Sequence, residues 1–276
     1  MEGQIIKILS NLYTVSSDGK LYECRARGKF RNDKITPTVG DYVKFNEKEN
    51  YILEVLPRKN TLDRPLVSNI DQAIIVTSCK QPDFSSNLLD KLIVVLEYNN
   101  IDPIICLTKL DLLSKEELKE INEIRKYYSY IGYTVLDNTE IDKIKDKLFS
   151  KTTALTGQTG AGKSSLINKL DPNFNLATGE ISKALGRGKH TTRHVELIEM
   201  FGGKVLDTPG FSSIDLKEMT NEEIRDSFIE FNEYPCPFRD CMHINEKECS
   251  VKEAVDKKEI LESRYENYKK FLLTRR

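Results

Sequence analysis

The stretch Gly157-Gln-Thr-Gly-Ala-Gly-Lys-Ser164 decides the fold, because it matches the pattern G-x-x-x-x-G-K-[ST] in full. It follows a strand-like run, Thr153-Ala-Leu-Thr156, and precedes a segment with apolar residues at helical spacing. Backbone N–H groups in such a loop close around phosphate oxygens, and glycines leave them unobstructed. The predicted nucleotide contacts are Gly157, Gln158, Thr159, Gly160, Ala161, Gly162, Lys163, Ser164 and Ser165.

Two side chains of this loop have specific expected roles. Lys163 supplies a positive charge to the terminal phosphates and is therefore a candidate catalytic residue, and Ser164 offers a hydroxyl to Mg²⁺. Downstream, Asp207-Thr-Pro-Gly210 ends another strand-like run. We expect the Asp207 carboxylate to hold Mg²⁺, directly or through water, and the Gly210 N–H to meet the γ-phosphate. Alone, Asp207 to Gly210 would be read as a Pro-Gly turn.

The segment Gly186 to His194 lies between these motifs and combines glycines, cationic side chains and two adjacent threonines. A loop that closes over the γ-phosphate needs one threonine to complete the Mg²⁺ coordination. Thr192 is our first choice and Thr191 the second. A solvated basic loop would explain the charges but not the position of the segment.

Thr108-Lys-Leu-Asp111 follows an apolar run and predicts recognition of guanine. The Asp111 carboxylate can accept hydrogen bonds from guanine N1–H and the exocyclic amine, whereas adenine would leave it unpaired. The stem of Lys109 can lie along the base plane. An ATP-using enzyme is the alternative, and competition between GDP and ADP separates the two.

Three cysteines and one histidine crowd together as Cys236-x4-Cys241-x-His243-x5-Cys249. They provide a complete tetrahedral set for one structural zinc, with no open position for a substrate water. Reduced cysteines without metal are the alternative. The other cysteines, Cys24, Cys79 and Cys106, are expected to be small buried residues.

Composition restricts the class of protein. The 276 residues carry a net charge of −1 with 31% charged residues, an ordinary balance that does not by itself indicate a nucleic-acid partner. No apolar run approaches the roughly 18 residues of a membrane span, and the first residues lack the layout of a signal peptide. We therefore expect a cytoplasmic protein without a membrane association. A monomer is also expected.

The pattern along the chain predicts three domains. Residues 1–62 show five short strands, typical of a small OB-type barrel, although an SH3-like barrel is also compatible. Residues 63–218 alternate strands and helices, which predicts an α/β domain with a mostly parallel sheet, entered through a linker at 57–65. Residues 219–276 read as a helical zinc-binding domain, in which Ser250-Val-Lys-Glu253 has the form of a capping box.

The motif Thr-Lys-x-Asp resembles the base-reading motif of the GTPase superfamily, but here Asp111 precedes Gly157, so the order of motifs is circularly permuted. This order, the small barrel and the cysteine cluster closely resemble the ribosome small-subunit-dependent GTPase A family over essentially the whole chain. The resemblance implies GTP hydrolysis stimulated by the small ribosomal subunit and a role in its late maturation. Two departures are Thr108, where Asn is usual, and residues 133–139, which lack a clear Ser-Ala signature.

Phe211 follows Gly210, where a Gln orients the attacking water in Ras-like enzymes. Phenylalanine cannot hydrogen-bond to water, so we expect slow intrinsic hydrolysis. The resemblance to the family's histidine makes His190 the candidate that positions the water. A solvated loop residue is the alternative.

Residues 20–34 contain six cationic side chains with Tyr22 and Phe30 interleaved. On composition alone this segment is equally well an ordinary charged surface or an RNA-binding surface. The family resemblance favours contact with rRNA of the small subunit. The competing function is a nucleotide-gated RNA-binding assembly scaffold whose hydrolysis is incidental.

Overall fold

The computed structural model describes residues 1–26, 30, 35–63, 66–172, 195–207 and 216–273. Its strands are β1 Glu2–Leu9, β2 Leu12–Ser17, β3 Lys20–Ala26, β4 Tyr42–Asn46, β5 Tyr51–Val55, β6 Thr61–Asp63, β7 Leu66–Ser68, β8 Gln72–Ser78, β9 Asp102–Thr108, β10 Thr134–Asp137, β11 Thr152–Thr156, β12 Glu196–Met200 and β13 Gly203–Asp207. Its helices are α1 Ser86–Tyr98, α2 Lys115–Tyr130, α3 Ile141–Leu148, α4 Lys163–Leu170, α5 Asn221–Asp226, α6 Ser250–Asp256 and α7 Glu262–Leu273.

The first five strands form the predicted barrel. They are ordered β1-β2-β3-β5-β4, and a further pairing of β1 with β4 closes the ring. Strand β4 alternates exposed and buried residues, whereas β1 and β2 each bury three consecutive residues. Ile5, Val15, Val43 and Ile52 are fully buried in the barrel core.

The chain divides into two compact units. The first combines residues 1–74 and 139–156 with the described part of 162–212. Within it, strands follow one another in the order β11-β13-β12-β1 and then continue into the barrel. Strand β13 lies parallel to β11 and antiparallel to β12, and β12 meets β1 through Lys7 and Glu196. The side chains of Lys7 and Glu196 form an ion pair of 2.8 Å.

The second unit combines residues 75–138 and 157–161 with the described part of 213–276. Here β8, β9 and β10 are neighbours, and β9 and β10 are parallel. All seven residues of β8 are buried, as expected for a strand covered on both faces. Helices α1, α5 and α7 pack around a core that includes Val94, Phe228 and Tyr268.

Two local expectations from the sequence were wrong, and one strand was missed. The predicted linker at 57–65 contributes to a two-stranded pair, β6 with β7. Strand β12 was not predicted, although the turn at Phe201 and Gly202, both with positive φ, joins it to β13 as a hairpin. Ser250 is the first residue of α6 instead of its cap, and its hydroxyl donates to the carbonyl of Pro235, so no capping box forms there.

The predicted domain boundaries, 1–62, 63–218 and 219–276, remain a prediction. Among the described residues, no helix combines the length and the apolar character that crossing a membrane requires.

Candidate functional site

The predicted phosphate loop lies where the sequence places it, between β11 and α4. Strand β11 ends at Thr156, and α4 begins at Lys163 with Gly162 as its N-terminal cap at φ 101°. Gly157 adopts φ 132°, and a Cβ there would lie 2.1 Å from the carbonyl oxygen of Val76. A side chain at residue 157 would therefore collide with backbone, which explains the glycine at this position.

Lys163 and Ser164 occupy the first turn of α4. Burial lowers the pKa of the Lys163 ammonium, because desolvation disfavours the charged form. Phosphate oxygens next to this amine would favour the charged form again and so stabilise the complex. Ser164 is buried, and its hydroxyl lies on the helix turn where the motif requires a Mg²⁺ ligand.

The base-reading segment lies at the end of β9 and contacts the phosphate loop. Thr108 is 2% exposed, and its Oγ1 donates to the carbonyl oxygen of Ala161 at 2.7 Å. Lys109 adopts φ 60° and its ammonium contacts the carbonyl of Gln81. Asp111 lies in a 3₁₀ turn and is exposed to solvent, free to meet a base. Two motifs that are separated in sequence thus meet in space.

The end of β8 and the residues that follow it belong to the same site, which the sequence reasoning did not predict. The carbonyl of Thr77 lies 3.3 Å from Thr108 Oγ1, and Pro82 is the nearest neighbour of a Cβ built on Gly160. The order of the predicted strands could have indicated this, because loops at the carboxyl ends of parallel strands gather at one edge of a sheet. Asn138, after β10, donates its N–H to Leu107 and so lies at this edge as well.

Several predicted contacts cannot be placed. His190, Thr191, Thr192 and Gly210 lie outside the described residues. Asp207 is the last residue of β13, where its backbone pairs with Glu196, but its side chain is not among the described atoms. Their roles in hydrolysis and Mg²⁺ binding remain predictions.

The four predicted metal ligands converge. The ligand atoms of Cys236, Cys241, His243 and Cys249 all lie within 4.8 Å of one another. Cys236 Sγ is 3.8 Å from Cys249 Sγ and 3.5 Å from His243 Nδ1. Tetrahedral Zn²⁺ with Zn–S bonds of about 2.3 Å separates two sulfurs by roughly 3.8 Å, which matches the distance between the sulfurs of Cys236 and Cys249.

The surroundings of the cluster shift the pKa values of its three cysteine thiols in different directions. Burial raises the pKa of Cys241 to about 12 and also raises the pKa of Cys249. Burial acts the same way on Cys236, but backbone N–H groups of Val251 and Ser250 outweigh it, so that its pKa lies below the ordinary value. Protein groups alone would thus leave two thiols protonated, and a divalent cation would supply the missing positive charge.

The backbone around the cluster is held by neighbouring side chains. The hydroxyl of Tyr265 donates to the carbonyl of His243, and that of Tyr268 to Met242. The Glu246 carboxylate accepts N–H groups from Met242 and Ile244, both at 2.8 Å. The loop is therefore shaped by hydrogen bonds as well as by the four ligands.

The predicted RNA-contact segment is only partly described. Lys20 and Arg25 are exposed on β3, whereas residues 27–29 and 31–34 lie outside the described residues. Phe30 is buried in the barrel core, and the ring of Tyr22 packs 5.0 Å from that of Phe45. The expected interleaved aromatic surface is therefore wrong for Phe30, because the barrel needs its ring for packing. Cys24, Cys79 and Cys106 are buried as predicted.

Comparison with known families gives two matches that together span most of the chain. Residues 55–217 match the RsgA GTPase model, and residues 2–52 match the RsgA N-terminal domain. The chain belongs to the RsgA GTPase family. It is therefore a GTPase, as the base-reading segment and phosphate loop predicted.

Curated relatives of this RsgA family member are similar over nearly their whole length. A protein of Latilactobacillus sakei named small ribosomal subunit biogenesis GTPase RsgA is 50% identical, over 98% of this chain and 94% of the relative. The protein of the same name in Enterococcus faecalis is 49% identical, over 99% and 95%.

Two solved structures have the same fold as this chain. The crystal structure of YloQ, described as a circularly permuted GTPase, superimposes with a TM-score of 0.85 at 40% identity, covering 99% of this chain and 94% of that one. YjeQ from Thermotoga maritima gives a TM-score of 0.88 at 35% identity, covering 99% and 98%. The predicted permuted order of motifs is thereby confirmed.

Proposed function

We propose that this protein binds the small ribosomal subunit, acts in its late maturation, and hydrolyses GTP slowly until the subunit stimulates it. The proposal that the protein binds and hydrolyses GTP rests on the hydrogen bond from Thr108 to Ala161. This bond fixes the predicted guanine-reading segment against the phosphate loop. The ribosomal part is supported by the relatives, which are named small ribosomal subunit biogenesis GTPases.

In this proposal the phosphate loop binds the triphosphate through its backbone, and Lys163 balances the charge of the terminal phosphates. Ser164, Thr192 and Asp207 hold Mg²⁺, with Thr191 as the second choice of threonine. The ion supplies neutralisation of the phosphate oxygens. Asp111 selects guanine by accepting two hydrogen bonds, and Gly210 senses the γ-phosphate.

His190 is the residue that we propose positions the attacking water, since Phe211 cannot do so. A partner that positions His190 against the water would then accelerate hydrolysis, which is how a slow intrinsic rate and stimulation by the subunit fit together.

The four-ligand cluster is proposed to hold one structural Zn²⁺. With three thiolates and one imidazole, no coordination position is left for a substrate, so the ion's contribution is to folding. The location is proposed to be cytoplasmic, and the protein to be a monomer without a membrane association.

Measuring GTP hydrolysis with and without small ribosomal subunits tests the proposal. We expect slow turnover alone and a large increase with small subunits but not with large ones. A nucleotide-gated assembly scaffold would bind subunits in the GTP state without any stimulation, and that result would reject the proposal. Lys163→Ala is the matched control, because it removes the phosphate contact and should abolish turnover in both conditions.

Contact with rRNA is proposed to involve the cationic side chains of residues 20–34. Binding to small subunits should then weaken steeply with salt, and Arg25→Ala combined with Arg27→Ala should reduce both the affinity and the salt slope. Glu47→Ala, an exposed acidic position in the same barrel, is a control that should not weaken binding. Equal binding by the wild type and the double variant would contradict the assignment.

A further inference from the structure

Within the first unit, the barrel joins the β12–β13 hairpin through a short ladder. The pairing of β1 with β12 is one residue pair long, Lys7 with Glu196, whereas β12 and β13 pair along their whole length. A crevice of about 500 Å³ lies between barrel and hairpin, lined mainly by polar groups that include Gln4, Tyr42 and residues 199–204. Separating these surfaces would expose little further apolar area, so opening the joint costs little in burial.

Two opposite charges on the hairpin face each other without pairing. Glu199 and Lys204 are directly opposite in the ladder of β12 and β13, a position at which Cβ atoms are roughly 5 Å apart. The same arrangement in the barrel gives an ion pair of 2.9 Å between Lys44 and Glu54. Within the described part of the chain, Glu199 and Lys204 form no ion pair with each other, because both side chains are directed elsewhere.

Both side chains reach across to the barrel. Lys204 Nζ donates to Gln4 Oε1 at 2.7 Å, and the hydroxyl of Ser16 donates to Glu199 Oε1 at 3.4 Å. Gln4 is buried, and its amide is oriented by donating Nε2–H to the carbonyl of Gly40. Desolvation lowers the pKa of the Lys204 ammonium more than the charge of Glu199 raises it. The contact with the barrel therefore gives Lys204 a neutral partner in place of an available carboxylate.

We propose that Glu199 and Lys204 form a two-state latch for the barrel. In the latched state, which the structure shows, both side chains bind the barrel. In the released state they bind each other, and the barrel is free to change its orientation relative to the hairpin. Release exchanges two hydrogen bonds for one ion pair, so the two states differ by little free energy. The inference concerns the attachment of the barrel and depends on neither the nucleotide nor the ribosome.

Hydrogen exchange on the full chain tests the latch, because release exposes amides where β1 meets β12. The informative peptides cover residues 4–9 and 195–200, and peptides from β2 and β13 are the reference, since those strands keep their other neighbours. Gln4→Met removes a hydrogen bond to a charged group from the latched state only. We expect it to speed exchange in the informative peptides by roughly tenfold or more, with the reference peptides unchanged. Unchanged exchange in the informative peptides would overturn the inference.

Glu199→Gln is the deciding variant. A glutamine oxygen can still accept from Ser16, but it cannot form an ion pair with Lys204, so only the released state is weakened. We expect exchange between β1 and β12 to slow by roughly two- to fivefold, the effect of one exposed ion pair. A hairpin with a single arrangement would show unchanged or faster exchange, and that result would overturn the inference. Glu199 is exposed, so this variant decides even if Gln4→Met does not fold.

Two controls show whether the effect comes from the alternative ion pair. Glu54→Gln breaks the formed pair with Lys44 and should leave exchange between β1 and β12 unchanged. In a Lys204→Met background, Glu199→Gln should have no effect, because no cation is left for the carboxylate to bind. Slowing that persists in this background would also overturn the latch.

Discussion

Asp111 and Thr108 belong to one short motif, but their side chains have different surroundings and different expected roles. Asp111 is exposed and free to bind the base, whereas Thr108 is buried and holds the segment on the phosphate loop. The motif Thr-Lys-x-Asp predicted the first role from chemistry alone. The second role needed the structure, because the partner of Thr108 is a backbone carbonyl 53 positions away in sequence.

Asp111→Asn should exchange guanine for xanthine as the preferred base. An amide at residue 111 cannot accept both guanine donors, but its N–H group can donate to the 2-oxo group of xanthine. Loss of two hydrogen bonds to a charged group should weaken GDP binding by about 3 kcal/mol or more. Competition of GDP and XDP measures this. Asp83→Asn, an exposed carboxylate near the same loop, is the control, and retained GDP preference in Asp111→Asn would refute the role of the carboxylate.

His190→Ala should slow single-turnover hydrolysis by roughly 100-fold, the lower end of general acid–base and positioning effects, while GTP affinity is unchanged. His194→Ala, in the same segment, is the matched control and should keep the wild-type rate. Rapid-quench measurement of GDP formation gives the hydrolysis rate of each variant, and a separate binding measurement gives its GTP affinity. An unaltered rate in His190→Ala removes it from the mechanism.

At the scale of elements, the sequence predicted those strands and helices that have a recognisable local pattern of apolar and polar residues. The barrel strands are short and rich in β-branched and aromatic residues, β8 and β9 have apolar centres at residues 73–76 and 103–107, and α4 directly follows the phosphate loop. The miss at β12 has a physical reason, since this strand gains its stability from pairing on both sides, with β13 and β1. The cap of α6 was missed because Ser250 has a tertiary partner, Pro235, that no local pattern contains.

Metal removal should unfold the helices around the four-ligand cluster. Cys241 and Cys249 are buried with raised pKa values, so the apo protein would bury protonated thiols in place of a coordinated ion. Chelation is expected to reduce far-UV circular dichroism and to lower the melting temperature, and Cys241→Ser should lose the metal. Cys24→Ala is the control and should keep about one zinc per chain. Unchanged helicity after complete removal would contradict a structural role.

At the scale of the whole molecule, a buried charge network holds the second unit together. Arg264 on α7 is fully buried and forms ion pairs with Asp90 on α1 and Glu230 in a 3₁₀ turn. Its guanidinium also lies 4.6 Å from the ring centre of Phe228. Asn267 adds a hydrogen bond to Asp90 at 2.7 Å. None of these partners could be inferred from the sequence, because charge pairing between distant segments leaves no periodic signal.

Arg264→Met should lower the free energy of unfolding by about 3–5 kcal/mol, because it leaves two carboxylates buried without a counter-charge. Urea denaturation followed by circular dichroism measures the change. Lys257→Met, which breaks an exposed ion pair with Glu253, should cost less than about 0.5 kcal/mol. A change below about 1 kcal/mol for Arg264→Met would mean that the network contributes little to stability.

Helix α1 begins beside the phosphate loop and packs against α5 and α7 within the second unit. At its start, Ser85 and Leu88 line a small cavity with Gly157 and Gln158, and further along Asp90 binds Arg264. We expect GTP and GDP states to differ in hydrogen-exchange protection around residues 236–249, because a shift of the loop would move α1. Identical protection in both states would exclude such coupling.

The pairing of β1 with β12 has a consequence for folding during synthesis on the ribosome. The barrel strands can assemble soon after they leave the ribosome, but the second half of β1 gains its outer neighbour only when β12 has been made. At ordinary translation speeds this takes roughly 10 to 40 s, during which a strand edge is open to pairing with other chains. Nascent chains that stall before residue 196 should therefore be more prone to aggregation than chains released after it.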